Sequence, residues 1–262
     1  MDFGIQGQVA IVAAASKGLG RACAVALAAE GVNVAIFARD LDALTETARE
    51  IEKTGNRALV IQADVTNPGQ IRGVVEQTVG ELGRLDILVC NAGGPPPGHF
   101  AAMSEEQWHQ AFELSLMSVV RMVHAALPHM RQQGGGRIIN LVSTSVREPI
   151  DGLILSNAIR PGVIGLAKTL SEELGPDHIT VNNIITGRIM TDRQRALRER
   201  TAQQLGISIE EATKLAEKDI PLGRLGEPEE LAAVVAFLAS RQGGYVTGTS
   251  IPVDGGLMKG IW

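Results

Sequence analysis

The residues best suited to chemistry are Ala14-Ala15-Ser16-Lys17-Gly18-Leu19-Gly20, which lie between an apolar run and a helix-prone stretch. Glycine there lets a backbone approach a pyrophosphate, whose charge is held by the N–H groups and dipole of the helix that follows. Two glycines alone say little. Placed between a first strand and a first helix, they indicate nucleotide binding. Side chains able to donate protons stand further along: Arg147 and Glu148 behind the run Ser143-Thr144-Ser145, Asp151 before a helix, and His99 at the end of GGPPPGH. Each is equally at home as a solvated loop residue. His99 leads because an ordinary imidazole pKa near about 6.5 suits proton transfer at neutral pH. The two cysteines, Cys23 and Cys90, are too few for a disulfide framework and lack metal-ligand spacing with histidine, so no metal site is expected and both read as small buried hydrophobes.

The elements that position these residues are legible as apolar runs: VAIVA (9–13), VNVAIF (32–37), RALVIQ (57–62), DILVC (86–90), RIINLV (137–142), ITVNNII (179–185) and TSIPV (249–253). Val/Ile/Leu runs without polar alternation fit strands covered by helices on both faces of a parallel sheet. Between them, 21–31, 41–53 and 230–240 have helical periodicity and crossover length. Gly31 and Gly55 stand at helix C-caps, Asp40, Thr66 and Ser104 at N-caps, and Gln107 completes a capping box with Ser104. The result is a doubly wound α/β sheet of seven strands. Residues 188–222 interrupt the rhythm with a charged helical insertion near the strand ends, read either as a lid or as a solvated helical pair.

The chain has 262 residues, 45% of them apolar, and no Pro-rich or Ser-rich linker divides it, which favours one domain over 1–262. A net charge of −5 with mixed signs gives no basic stripe for nucleic acid. The N-terminal apolar run is far shorter than the roughly 20 residues that span a bilayer. A cytoplasmic protein that binds neither nucleic acid nor membrane is expected.

Taken together, Ala-Ser-Lys-Gly-Leu-Gly after the first strand, Asn91-Ala92-Gly93 after the fourth, Gly-Arg-Ile-Ile-Asn into the fifth, Gly-Glu-Pro-Glu-Glu-Leu and Val253-Asp254-Gly255-Gly256 resemble the short-chain dehydrogenase/reductase family. The likeness covers nearly the whole chain and is strongest to bacterial 3-oxoacyl-[acyl-carrier-protein] reductases. It implies a Rossmann-type fold, a nicotinamide cofactor, a small-molecule or acyl-chain substrate, and a homotetramer or homodimer. Ala13 and Ala14 replace the family's Thr-Gly, a change that costs little if φ at Ala14 is negative. Where the family's NAD-selecting acid would stand is Ala38, with Arg39 beside it and Lys17 in the loop, so NADP(H) is favoured and NAD(H) possible. Asp40 is then either an alternative acid or only an N-cap. By resemblance Asp64 and Val65 flank the adenine and Asn91, Ala92 and Gly93 line the ribose. Thr186-Gly187 replaces Pro-Gly, with Ile189 and Thr191 near the nicotinamide amide.

The family's catalytic serine, tyrosine and lysine are registered by Gly162-Val163-Ile164-Gly165-Leu166. The resemblance then puts Ser156 at the tyrosine, Arg160 at the lysine, Ser143 at the serine and Ser115 at the assisting asparagine. Tyr245, the only tyrosine, is expected to pack. An aliphatic hydroxyl is a far weaker acid than a phenol, and arginine, with a pKa above about 12, is a poor proton donor but can hold a cofactor ribose. Pro161 lacks the N–H that would bond the Asn157 carbonyl in a continuous helix. Three readings follow: an oxidoreductase with an atypical Ser/Ser/Arg site, a dinucleotide-binding pseudoenzyme, and a relative of halohydrin dehalogenases, which keep a tyrosine that this chain lacks.

Overall fold

The computed structural model describes residues 2–260. All seven expected strands form: β1 (Val9–Ala13), β2 (Asn33–Ala38), β3 (Ala58–Gln62), β4 (Ile87–Cys90), β5 (Gly136–Ser143), β6 (Ile179–Thr186) and β7 (Ser250–Val253). They make one parallel sheet in the order β3-β2-β1-β4-β5-β6-β7, with Ile11 beside Ala35 on one side and Leu88 on the other. Helices α1 (Gly18–Ala29), α2 (Leu41–Glu52), α3 (Pro68–Leu82), α4 (Glu105–Phe112), α5 (Ser118–Gln132), α6 (Ile154–Ile159), α7 (Pro161–Glu173), α8 (Asp192–Leu205), α9 (Ile209–Glu217) and α10 (Pro228–Ala239) surround it.

Strand alternation explains why the runs had to be apolar throughout. Ala10, Val12, Val34, Ile36, Val89 and Ile139 face one core with α1 and α10 (Leu27, Leu231, Val235). Ile11, Ala35, Phe37, Leu88 and Ile138 face the other, with α3, α5 and α7 (Val74, Met122, Val163). Both faces of each central strand are buried, which is the signature of a parallel sheet. Cys23 and Cys90 are buried within these cores as expected; burial pushes the Cys23 thiol up to about 12 and also raises Cys90. The helical run Glu105–Gln132 is long and apolar enough to cross a membrane, yet Val119, Met122, Val123, Ala126 and Met130 are packed in the second core.

Gly31 and Gly55 have φ of +87° and +86°, the left-handed conformation that ends a helix. Asp40 accepts from Ala43 N and Ser104 forms its capping box with Gln107. Thr66 is not the cap of α3: Asn67, directly before Pro68 at the first helical position, accepts from Gly69 N and Gln70 N, while Thr66 bonds Asp64 Oδ1. Residues 188–222 contain α8 and α9, pinned at their base by Gly226 N–H to Arg188 O and Met190 N–H to Gly226 O.

Candidate functional site in the crevice at the strand C-termini

After β1 the chain leaves to one side of the sheet, and β4 begins the other; the crevice between their C-terminal ends is where ligands bind in open α/β sheets. The glycine loop lies there. Ala14 has a φ of +50°, which corrects the expectation of a low-cost negative value: Ala15 N–H bonds Phe37 O and Ala15 O accepts from Thr47 Oγ1 at 3.0 Å, so both neighbouring elements hold the turn. A side chain at positive φ costs roughly 1–2 kcal/mol. Gly20 is required for another reason. A Cβ there would stand 2.9 Å from Ala14 C and 3.0 Å from Ala15 Cα, contacts with backbone that cannot swing aside. Lys17 places no side chain on the first N–H groups of α1, so that helix N-terminus opens toward the crevice. Thr191, which caps α8, packs against Gly18 from the opposite side.

At the end of β2, Ala38 is buried and Arg39 is exposed, 3.9 Å from Asp64 Oδ2. Asp40 is engaged as the α2 cap, so of the two readings for it the N-cap is what the structure shows. Asp64 accepts from Thr66, and Val65 is buried. Ile189 is buried beneath the base of α8, and Gly187 admits Asp254, whose Cβ would lie 2.6 Å from a Cβ on that glycine.

The β5 terminus carries Ser143, which caps a single 3-10 turn over Thr144–Val146 and accepts from Ser145 N at 3.2 Å. That turn swings Ser145 back to α6, where its Oγ lies 2.9 Å from Ser156 Oγ with both residues buried. The helix breaks at Arg160. Pro161 starts α7 rather than interrupting one helix, and the Asn157 amide bonds both Ile150 N and O. Arg160 reaches across to the carbonyl of Gly93, 3.4 Å from Nη2, and shares a cavity of about 10 Å³ with Asn91, Ala92 and Ser115. Ser115 sits in a π-helical turn (Glu113–Met117) joining α4 to α5, and its buried Oγ has no hydrogen-bond partner among the described residues. Burial pulls the Arg160 guanidinium down to about 10, and the like charge of Arg193 adds to this.

The structure thus brings Ser115, Arg160 and Asn91–Gly93 together, with Ser143 at the end of β5 and Ser156 on α6 flanking the turn between them. Two residues without a sequence signal of their own stand beside this group, Ser145 against Ser156 and Arg193 against Gly94. His99 is exposed on the loop after β4, its Nδ1 3.8 Å from Asp151, where Gly98 N–H bonds Gly152 O ahead of α6. Glu148 accepts from Lys259 N and Gly260 N and ties down the C-terminal segment. Tyr245, expected to pack, is fully exposed, and its neighbour Thr247 bonds Val181 near the start of β6, at the end of the sheet away from the crevice.

Residues 13–258 match a family described as Enoyl-(Acyl carrier protein) reductase. The 3-oxoacyl-[acyl-carrier-protein] reductase FabG of Staphylococcus epidermidis is 35% identical over 95% of this chain and 98% of its own. NovJ of Streptomyces niveus, a short-chain reductase protein, is 36% identical over 96% and 94%. Among solved structures, L-sorbose reductase from Gluconobacter frateurii, complexed with NADPH and L-sorbose, superposes with a TM-score of 0.96 over the whole of both chains at 34% identity. Actinorhodin polyketide ketoreductase with NADPH gives 0.92 at 32% identity, over 97% of this chain and 98% of its own. With this sheet order, a glycine loop at its switch point and such similarity along its full length, the chain belongs to the short-chain dehydrogenase/reductase family of Rossmann-type oxidoreductases.

Proposed function

We propose that this chain is an NADP-dependent oxidoreductase that moves hydride to or from a ketone, a secondary alcohol or a 3-oxoacyl-type substrate, with a Ser/Ser/Arg site in place of the family's tyrosine and lysine. One juxtaposition carries the reading: the open N-terminus of α1 and the Gly93 edge held by Arg160 face the same switch-point crevice. The relatives found as NADPH complexes support the choice of cofactor.

The residues fit such a group. Ala14, Ser16, Gly18, Leu19 and Gly20 would supply the backbone cradle for the pyrophosphate, with Lys17 and Arg39 as cations for a 2′-phosphate and no acid at Ala38 to repel it. Asp64 and Val65 would take the adenine end, Asn91, Ala92, Gly93 and Arg160 the ribose, and Gly187, Ile189 and Thr191 the amide. Bound there, a nicotinamide ring supplies the hydride chemistry. Ser143 Oγ accepts from Ser145 N, leaving its own O–H to be donated to a carbonyl oxygen. Arg160 contributes positive field rather than a proton. The reading takes the protein as a cytoplasmic single domain that assembles as a homodimer or homotetramer, with α8 and α9 as a lid; light scattering reads the assembly.

Titration of the purified protein with NADPH, followed by cofactor fluorescence, is expected to saturate, and NADPH oxidation across a panel of ketones and 3-oxoacyl thioesters to fall at least a hundredfold in Ser143→Ala. No fluorescence change up to millimolar protein would sink the reading. A second reading, a dinucleotide binder without turnover, is favoured by the Ser145–Ser156 pair, which engages the hydroxyl at the tyrosine register inside the protein. Binding without turnover, unaffected by Ser143→Ala, would establish it.

A further inference from the structure

Two arginines from different elements meet over one glycine-rich peptide. Arg160, at the break between α6 and α7, donates to Gly93 O. Arg193, on the first turn of α8, lies against Gly94: a Cβ built on that glycine would stand 2.7 Å from its Nη2 and 2.8 Å from its Cζ. With glycine at 94 the guanidinium rests directly on the peptide; a larger residue would push this flexible side chain off it. Among the described residues neither arginine makes an ion pair, whereas Arg21, Arg39, Arg84, Arg121, Arg131, Arg188 and Arg224 each face a carboxylate. The acid beside Arg193, Asp192, contributes instead to the field around Arg21, whose guanidinium is raised first by its hydrogen bond to Glu50. Like charges brought together without a counter-ion repel, and the repulsion is felt at Arg160. An arrangement of this kind gains energy when an oxyanion enters, because guanidinium forks pair with carboxylate and phosphate oxygens.

We propose that Arg160 and Arg193 form a clamp over the Gly93–Gly94 peptide for one oxyanionic group of a ligand in the crevice, phosphate or carboxylate, and that this contact seats α8 on the ligand. The clamp rests on the reading above only in taking the crevice as the ligand site. Two sources carry this chemistry, the pyrophosphate of a dinucleotide and a carboxylate on the substrate. The first adds a cofactor contact from α8; the second makes the substrate an oxo acid or hydroxy acid.

The test compares wild type, Arg193→Gln and the control Arg195→Gln, a neighbouring arginine on the same helix, by calorimetric titration at low salt with three probes: inorganic pyrophosphate, NADPH, and oxaloacetate added to NADP-saturated protein. Circular dichroism checks that each variant is folded. Arg193→Gln is expected to weaken at least one probe tenfold or more, while Arg195→Gln stays within threefold of wild type on all of them. Loss confined to pyrophosphate and NADPH assigns the clamp to the cofactor; loss confined to oxaloacetate assigns it to the substrate. A change below threefold on every probe overturns the clamp, as does an equal loss in Arg195→Gln or a wild-type protein that binds none of the three. Wild type that binds pyrophosphate and not NADPH, with the loss in Arg193→Gln, leaves the clamp standing and removes the dinucleotide reading.

Discussion

Ser156 Oγ lies 2.9 Å from Ser145 Oγ, and both hydroxyls are buried. The residue at the family's proton-donor register therefore spends its hydroxyl on the turn that follows β5, and this pair fixes where that turn meets α6. Removing one partner strands the other. Ser156→Ala and Ser145→Ala should each cost about 1–3 kcal/mol, the price of an unsatisfied buried hydroxyl, which for a chain this long lowers the melting temperature by about 2–4 °C per kcal/mol. The double variant should lose less than the two singles added, with a coupling of about 0.5–1.5 kcal/mol by thermal or urea unfolding. Strict additivity would mean that the hydroxyls do not stabilise each other.

The glycine loop gives opposite expectations at two neighbouring positions. Ala14→Gly should stabilise by about 1 kcal/mol, because φ at +50° strains a residue with a Cβ. Gly20→Ala should do the reverse, since its Cβ would press on the backbone of Ala14 and Ala15. A loss of about 2 kcal/mol or more is expected in calorimetry, together with at least tenfold weaker NADPH binding as the loop moves off its seat.

The elements proved far more legible than the contacts between them. The run Val9–Ala13 reads as a strand because both its faces are buried, so every residue had to be apolar. The sign of φ at Ala14 is not in the local sequence: it is imposed by Phe37 and Thr47 on other elements. Asn67 displaced Thr66 as a cap because Pro68 sets the start of α3, a local signal that was present and outweighed by hydroxyl preference. Ser145 could have been found from its place two residues past Ser143, had a tight turn been assumed there. Arg193 could not, because an arginine on a charged, exposed helix looks the same whether or not it leans on a glycine of a distant loop.

Arg39 tests cofactor choice. Its side chain is 83% exposed and only loosely placed by Asp64 at 3.9 Å, so its replacement should leave stability within about 0.5 kcal/mol. Arg39→Asp should weaken NADPH at least tenfold and tighten NADH, since a carboxylate accepts from ribose hydroxyls and repels a 2′-phosphate. Competition between the two cofactors at fixed salt reads the switch. An unchanged ratio would move the selecting cation to Lys17.

Arg160 is held as a cation at some cost to the fold. Burial, and then the like charge of Arg193, lower its folded-state pKa from the ordinary arginine value to about 10. Between those two values the unfolded chain binds the proton more firmly than the folded one, so the contribution of this group to stability rises with pH there and is a constant penalty below about 10. Arg160→Met removes the charge with similar bulk and should raise the melting temperature at neutral pH by about 2–4 °C for each kcal/mol relieved. That advantage over wild type should shrink as pH climbs from 9 to 11. Binding should show the opposite sign: NADPH affinity in the variant falls at least tenfold at pH 7, while wild-type affinity declines through pH 10 in a way the variant does not share. A variant less stable than wild type at pH 7 would show instead that the contact with Gly93 O outweighs the cost of burying the guanidinium, and would make Arg160 a structural tie between α6 and the loop after β4.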